Sequence, residues 1–262
     1  MVRSGIISLA SRRTGLSNPL VEKLGHFVKL APPDRQMIQR ISSERTRDFG
    51  AREDIIQEGD RPEHINLILS GWACRYKVLE DGRRQVIAFF LPGDLCDLNL
   101  FVLRQMDHSI GAITSVTLSE ISRSGFDELM LAHPRITQGL WWESLVAAAT
   151  QREWAVNLGQ RDATERMAHL FCELFLRLRT VGLARENSID MPLTQSELGE
   201  ATGLSAVHVN RTLQELRALG LIVLKDRTLT IPDFGALKDV ALFNANYLHL
   251  EHEGRHLDAN EA

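Results

Sequence analysis

The side chains of this chain that could do chemistry fall into two groups. The first is nine His and three Cys scattered over 262 residues. Catalytic or structural metal sites need such ligands in close array, as in His-x-His or Cys-x-x-Cys. His64 and His108 stand isolated, and Cys74, Cys96 and Cys172 are odd in number and far apart. The cysteines read as reduced thiols in apolar positions, not as a disulfide framework or a zinc or iron–sulfur site. His249, Glu251, His252 and His256 could meet a metal if the terminus were helical, but a polar exposed tail explains them without a ligand. The second group is compact: Thr194, Gln195, Ser205, His208, Asn210 and Arg211. These groups break no bonds, but their donors and acceptors suit phosphates and base edges. Arg offers a fork that matches a guanine edge bidentately.

Such groups need elements to aim them, and the flanking residues supply them. Thr194 with Glu197 forms a capping box that starts a short helix in which Leu198 and Ala201 point inward. Gly199 leaves room for a second helix, Gly203 permits the turn, and Leu204 plugs the space beneath it. Ser205 caps the second helix, whose Val209, Leu213 and Leu216 recur along one face. Ala206, Val207, Asn210 and Arg211 lie on the opposite face, the side that enters a major groove in a helix-turn-helix. Thr212 departs from the aliphatic residue usual at its position. Two β-rich runs, Leu221–Leu224 and Thr228–Ile231, flank Lys225-Asp226-Arg227 and predict a two-stranded wing whose Lys225 and Arg227 touch phosphates.

Composition constrains the rest. A 44% hydrophobic content over 262 residues suffices for two domains with sizeable cores. The sequence has no apolar run near the roughly 20 residues that cross a bilayer, and its start lacks the order of a secretory signal, so a cytoplasmic protein without membrane contact is expected. The net charge of −4 does not advertise nucleic-acid binding. Even within residues 190–232, Arg211, Arg217, Lys225 and Arg227 are offset by Asp190, Glu197, Glu200, Glu215 and Asp226. DNA affinity must then come from a few well-placed cations, helix N-termini and duplication in a dimer.

Read in order, residues 1–18 are a polar tail, and helices follow at Asn18-Pro19, with Leu20, Val21 and Leu24, and at Pro32-Pro33-Asp34, with Met37, Ile38 and Ile41. From about 44 to 125, turn signals every ten or so residues separate short β-rich segments, the pattern of a small antiparallel barrel or jelly roll. Trp72, Cys74, Tyr76 and Val78 alternate with Ala73, Arg75 and Lys77 as in a half-buried strand. After Pro134, the residues Trp141, Leu145, Ala148, Arg152, Ala155 and Gly159 step by four and three, the seam of a helix paired along its length with a second helix. Dimers of this kind read two half-sites a helical turn apart. Asp162 with Glu165 caps the next helix and marks a hinge near Gln160-Arg161. A last helix, from about Asp233 through Leu248, is expected to pack the wing. The chain thus divides into a tail (1–18), a sensory barrel (19–134), a dimerisation helix (135–161), a DNA-binding domain (162–250) and a second tail (251–262).

Barrel, long helix and winged helix-turn-helix, in this α+β order, resemble the Crp/Fnr superfamily of bacterial transcription regulators. The motifs that carry the resemblance are Gln57-Glu58-Gly59-Asp60-x-Pro62, Ile68-Leu69-Ser70-Gly71, Asp81-Gly82-Arg83, Pro92-Gly93-Asp94 and residues 194–217. It implies a non-enzymatic homodimer whose barrel, similar to a cyclic-nucleotide-binding domain, steers two recognition helices onto palindromic DNA in contact with RNA polymerase. Arg211 matches an arginine that reads a base pair, whereas Ala206 and Val207 replace an Arg and a Glu, so the half-site should differ from that of the best-known member.

The family's ligand does not carry over. The nucleotide-binding turn reads Asp94-Leu95-Cys96-Asp97-Leu98-Asn99, and the Arg-Ser phosphate clamp reads His108-Ser109. The base-contacting pair aligns with Gln151 and Arg152. Asp97 would repel a phosphate and a largely neutral His cannot replace a guanidinium fork, so cyclic AMP is disfavoured. Asp97, Asn99, His108, Ser109, Gln151 and Arg152 remain the candidate pocket for another small-molecule effector. Residues 1–30 hold no Cys, which removes the iron–sulfur branch. A haem would need an axial ligand from His64, Cys74, Cys96 or His108, each of which reads more simply as structural. The alternative outside this class is a cupin-like metalloenzyme, weakened by the absence of clustered ligands.

Overall fold

The computed structural model describes residues 18–98 and 100–250. The first tail up to residue 17, candidate Asn99, and Glu251, His252 and His256 of the second tail lie outside the described residues. Asn18 accepts the Leu20 amide at 2.9 Å and starts α1 (Pro19–Gly25). Pro32 starts α2 (Pro32–Glu44), and these helices bury Leu20, Leu24, Ile38 and Ile41 with Ile65 and Leu67 of the barrel.

Eight strands follow: β1 (Thr46–Phe49), β2 (Asp54–Ile56), β3 (Ile65–Ser70), β4 (Ala73–Val78), β5 (Arg84–Phe90), β6 (Leu95–Cys96), β7 (Ser109–Ala112) and β8 (Val116–Ile121). They form two antiparallel four-stranded sheets, ordered β1-β8-β3-β6 and β2-β7-β4-β5, the interleaved order of a jelly roll. Ile68, Phe90, Cys96, Ile110 and Leu118 fill the space between them. The alternation expected from Trp72 to Val78 holds only in part: Ala73 is buried, Val78 is exposed, and Trp72 precedes the strand. A register shift between Arg75 and Tyr76 interrupts the two-residue period.

After α3 (Arg123–Ala132) comes α4 (Pro134–Gln160), a helix of 27 residues. Ile136, Leu140, Glu143, Ala149, Thr150 and Trp154 face the protein, whereas Trp141 is 61% exposed and Leu145 60%. Ala148, Arg152, Ala155 and Gly159 are exposed as well, so all six seam residues lie on the outer side. Asp162 accepts the Thr164 and Glu165 amides and begins α5 (Ala163–Thr180), which carries the core of the second half.

The second half continues with β9 (Ala184–Arg185), β10 (Ser188–Asp190), α6 (Gln195–Thr202), α7 (Ala206–Ala218), β11 (Val223–Lys225), β12 (Thr228–Thr230) and α8 (Phe234–Val240). The two strands of the expected wing, β11 and β12, pair with each other, and β12 also pairs with β10, so the sheet runs β11-β12-β10-β9. One expectation needs correction. The last helix does not run to Leu248: it stops at Val240, Leu242 turns with φ 48°, and a separate 3-10 turn spans Ala245–Leu248. The break drops Phe243 and Tyr247 onto the His169 ring of α5. No described helix is long and apolar enough to cross a membrane.

The two halves touch beyond the linking helix. α6 lies on β5, where Arg84 pairs with Glu200 and stacks 3.9 Å from the centre of the Tyr76 ring. Trp72, Phe89, Trp154, Phe171 and Leu198 belong to one continuous core.

Candidate nucleic-acid interface and effector cavity

The reading head is built from local contacts. The Thr194 hydroxyl accepts the Glu197 amide at 3.2 Å, and the Thr194 backbone N–H donates to the Glu197 carboxylate at 2.7 Å, which completes the capping box. Gly203 closes α6 at φ 68°, and a Cβ at Gly199 would lie 2.5 Å from the Leu204 carbonyl oxygen. That approach lets α7 cross α6 closely. Ser205 Oγ accepts the His208 amide at 3.3 Å. The Thr194 and Ser205 hydroxyl oxygens are thus engaged in capping, and both residues are exposed. Val209, Thr212, Leu213 and Leu216 are buried. Ala206, Val207, Asn210 and Arg211 are exposed along one side, Val207 by 82%. Thr212, which breaks the aliphatic pattern, sits in this core.

Gln195 is exposed at the first turn of α6, His208 is half-buried, and Lys225 and Arg227 are exposed at the wing. Asp226 and Arg227 both adopt positive φ, 50° and 58°, the backbone of a tight two-residue hairpin turn. The Arg227 carbonyl accepts from Met191 N at 2.7 Å, which ties the wing to the strand before α6.

Sequence reasoning passed over Arg166. Its guanidinium donates to the carbonyls of Asn157, Leu158, Arg161 and Thr202 at 2.7–3.1 Å. One side chain thereby joins the end of α4, the start of α5 and the turn of the reading head. Arg161 does the same for the broken C-terminal segment, donating to Ala241 and Leu242 carbonyls and to Glu153.

The candidate effector residues do not converge as expected. A cavity of about 330 Å³ lies between the barrel, α1, α4 and α5, and of the described candidates only Asp97 and Gln151 line it. His108 is held between Asp97 and Asp107 at 2.9 and 2.7 Å, and Ser109 Oγ accepts the Glu58 amide. Arg152 points to solvent, one position along α4 from Gln151, whose amide donates to the Ile87 carbonyl. Among the haem candidates, His64, Cys74, Cys96 and His108 all lie off the lining. Cys74 Sγ accepts from Arg84, and burial pushes its thiol up to about 11.

The cavity wall holds charges that sequence reasoning overlooked. Lys23 donates to Asp94 and Glu143, and Arg177 donates to Asp94 at 2.7 Å, to Glu173 at 3.1 Å and to the Phe89 carbonyl. Glu173 also accepts from Trp154 and Tyr247, both at 3.0 Å. Burial opposes charge on Lys23 and Asp94, yet their partners win: Lys23 sits above and Asp94 below its ordinary value. For Glu143 burial dominates over the pull of Lys23 and raises the carboxyl. Arg75 is held by Asp97. A visible signal existed for part of this network, since Glu173 and Arg177 stand four apart in the otherwise apolar run Leu170–Leu178.

A jelly roll joined by a long helix to a winged reading head is the architecture of a DNA-binding regulator. Residues 46–133 match the cyclic nucleotide-binding domain family, and residues 165–240 match the Crp-like helix-turn-helix domain. The chain is 29% identical over 203 residues to the transcriptional activator protein FnrL of Cereibacter sphaeroides, covering 74% of this chain and 79% of that one. It is 28% identical over 177 residues to the nitrogen fixation regulation protein FixK of Bradyrhizobium diazoefficiens, covering 67% and 73%. In fold it is similar to FixK2 from Bradyrhizobium japonicum, with a TM-score of 0.68 at 24% identity over 77% of this chain and 98% of that one. The chain belongs to the Crp/Fnr family of transcription regulators.

Proposed function

We propose that the protein works as a homodimer that presents two copies of α7 to palindromic DNA, with a small molecule other than cyclic AMP acting through the barrel. The observation that carries this reading is the coexistence, on one chain, of an outward-facing α7 and an apolar stripe along α4 that its own fold leaves uncovered. Trp141 and Leu145 together with the small Ala148, Ala155 and Gly159 suit close pairing with a second helix. A dimer also supplies the duplication that a weakly charged reading head needs.

Cyclic AMP is set aside because the cavity has no uncommitted cation for its phosphate: Lys23, Arg75 and Arg177 are each paired with carboxylates. Haem and iron–sulfur control are set aside because His64, Cys74, Cys96 and His108 lie off the cavity lining and, among the described residues, no cluster of metal-ligating side chains occurs. We read the chain as regulatory rather than catalytic, in contact with RNA polymerase and in a cytoplasmic setting, a reading that its similarity to transcriptional activators and regulators supports.

Selection from random duplexes with the purified full chain tests the reading, alongside its mass by light scattering. A twofold-symmetric consensus bound by a species of twice the chain mass is expected. A monomer that enriches no sequence overturns the proposal.

A further inference from the structure

The match to the Crp-like helix-turn-helix domain ends at residue 240, and the chain beyond it folds back over the molecule. Leu242 is exposed and stands at φ 48°, so the chain leaves α8 in a sharp turn. Residues 243–250 then form a strap. Phe243 and Tyr247 root it in the reading half by packing on the His169 ring of α5, and the Tyr247 hydroxyl donates to Glu173 at 3.0 Å. The same Glu173 oxygen accepts Trp154 Nε1 of α4 at 3.0 Å. Farther on, the 3-10 turn Ala245–Leu248 lies against α4, Leu248 is buried, and the His249 ring meets Trp142 at 5.2 Å. Trp142 in turn packs on Phe27 of α1 at 6.1 Å.

The root of the strap is tied to the end of α4 as well, since Arg161 donates to the Ala241 and Leu242 carbonyls. From Arg161 back to Trp142 is about 28 Å of helix at about 1.5 Å per residue. The strap therefore runs along α4 from the α4–α5 junction toward the sensory half. A turn of the reading head about that junction must strip it from α4, which would expose the buried Tyr247 and Leu248 side chains.

We propose that residues 243–250 are a positioning strap that holds each reading head at one angle to α4 and so sets the half-site spacing that the dimer accepts. Tyr247, Leu248 and His249 carry this role, and they act through α4 and not through the bases. A dimer binds a palindrome tightly when its second head is already aimed at the second half-site. Freeing the angle lowers the effective concentration of that head. A lone half-site asks nothing of the angle. The proposal rests on the assignment of the protein as a dimeric reader of palindromic DNA, yet restraint of the junction is measurable without DNA.

Leu242→Pro in the full chain is the test. Proline cannot reach φ 48°, so the strap is diverted at its root while every buried side chain is kept. Leu242→Gly accepts the turn and should behave as the wild type. Hydrogen exchange of residues 158–166 should speed by at least about fivefold in Leu242→Pro and stay unchanged in Leu242→Gly. On a selected palindrome Leu242→Pro should lose at least about tenfold in affinity, while a single half-site loses less than about twofold. Its preference for the selected spacing over spacers one base pair longer or shorter should vanish. Tyr247→Ala, which takes the ring from His169 and the hydroxyl from Glu173, should act alike and serves if Leu242→Pro does not fold. Unchanged exchange at the junction, equal losses on palindrome and half-site, or tighter palindrome binding overturns the proposal. If the wild type is a monomer or enriches no duplex, the assignment as a dimeric reader fails, and exchange alone decides whether the strap restrains the junction.

Discussion

Arg211 stands out on the exposed side of α7 because its neighbours there are Ala206, Val207 and Asn210. Two of these are apolar and can touch a thymine methyl but cannot accept or donate to guanine. Base discrimination therefore concentrates on the guanidinium. Arg211→Ala should weaken binding to a selected site by about 1–3 kcal/mol and blur preference at one base pair. A mobility-shift titration checks this, and equal affinities remove Arg211 from the readout. His169 offers a second test at this scale. It is fully buried, with the Phe243 and Tyr247 rings at 4.9 and 5.9 Å, and burial, aided by Arg161, pushes its imidazole down to about 3. The folded chain holds it neutral, while in the unfolded chain it protonates near about 6.5. The stability it contributes is complete above that value and is lost as pH falls from about 6.5 toward 3, by up to about 1.4 kcal/mol per unit. Urea unfolding of the wild type at pH 7.5 and 5 should show the loss, and His169→Phe should flatten it. A slope identical in both proteins would show that another group is responsible.

At the scale of elements, α4 serves two neighbours at once. Its inner side is committed to the barrel and α5, and its outer side carries Trp141 and Leu145. Leu145→Glu should leave the fold intact, because the side chain already meets solvent, yet it would place like charges across a paired helix. Sedimentation should then show a monomer at concentrations where the wild type is dimeric, with DNA affinity falling in step. A dimer that survives the change would move the interface elsewhere. The junction between α4 and α5 depends on Arg166 in a different way. Arg166→Met would keep the aliphatic stem but leave four carbonyls without their donor. We expect a loss of about 2–4 kcal/mol, since bonds from one charged group share that group and do not simply add. Urea denaturation gives the number, and a change under about 0.5 kcal/mol would mean that water replaces the guanidinium without cost.

For the whole molecule, the paired α4 helices would fix the separation of the two reading heads. A dimer with its recognition helices in successive major grooves of one DNA face needs half-sites about one helical turn apart. Inserting five base pairs between the half-sites of a selected palindrome turns the second site to the opposite face. Binding should fall toward that of a single half-site, which competition titration measures. Retained affinity would mean that the halves move independently and that the docking of α6 on β5 through Arg84 and Glu200 does not restrain them.

Much of this molecule was legible residue by residue because the signals are local. Thr194 and Glu197, Asp162 and Glu165, and Ser205 act over three residues, and a capping bond forms wherever its chain folds. Gly199 and Gly203 imply the crossing of α6 and α7, since no other residue fits so near a backbone oxygen or so readily turns left-handed. The outward stripe on α4 was visible as a period, although a period alone does not say whether the barrel or solvent would receive it. Distant strands and charges were decided only by the tertiary structure. Pairing of β10 with β12, the break at Leu242, and the meeting of Lys23, Asp94, Glu143 and Arg177 each join segments far apart in the chain. A lone Lys or Glu on a helix reads as a solvated residue. Burial beside a matching charge gives it another meaning, and packing determines that burial.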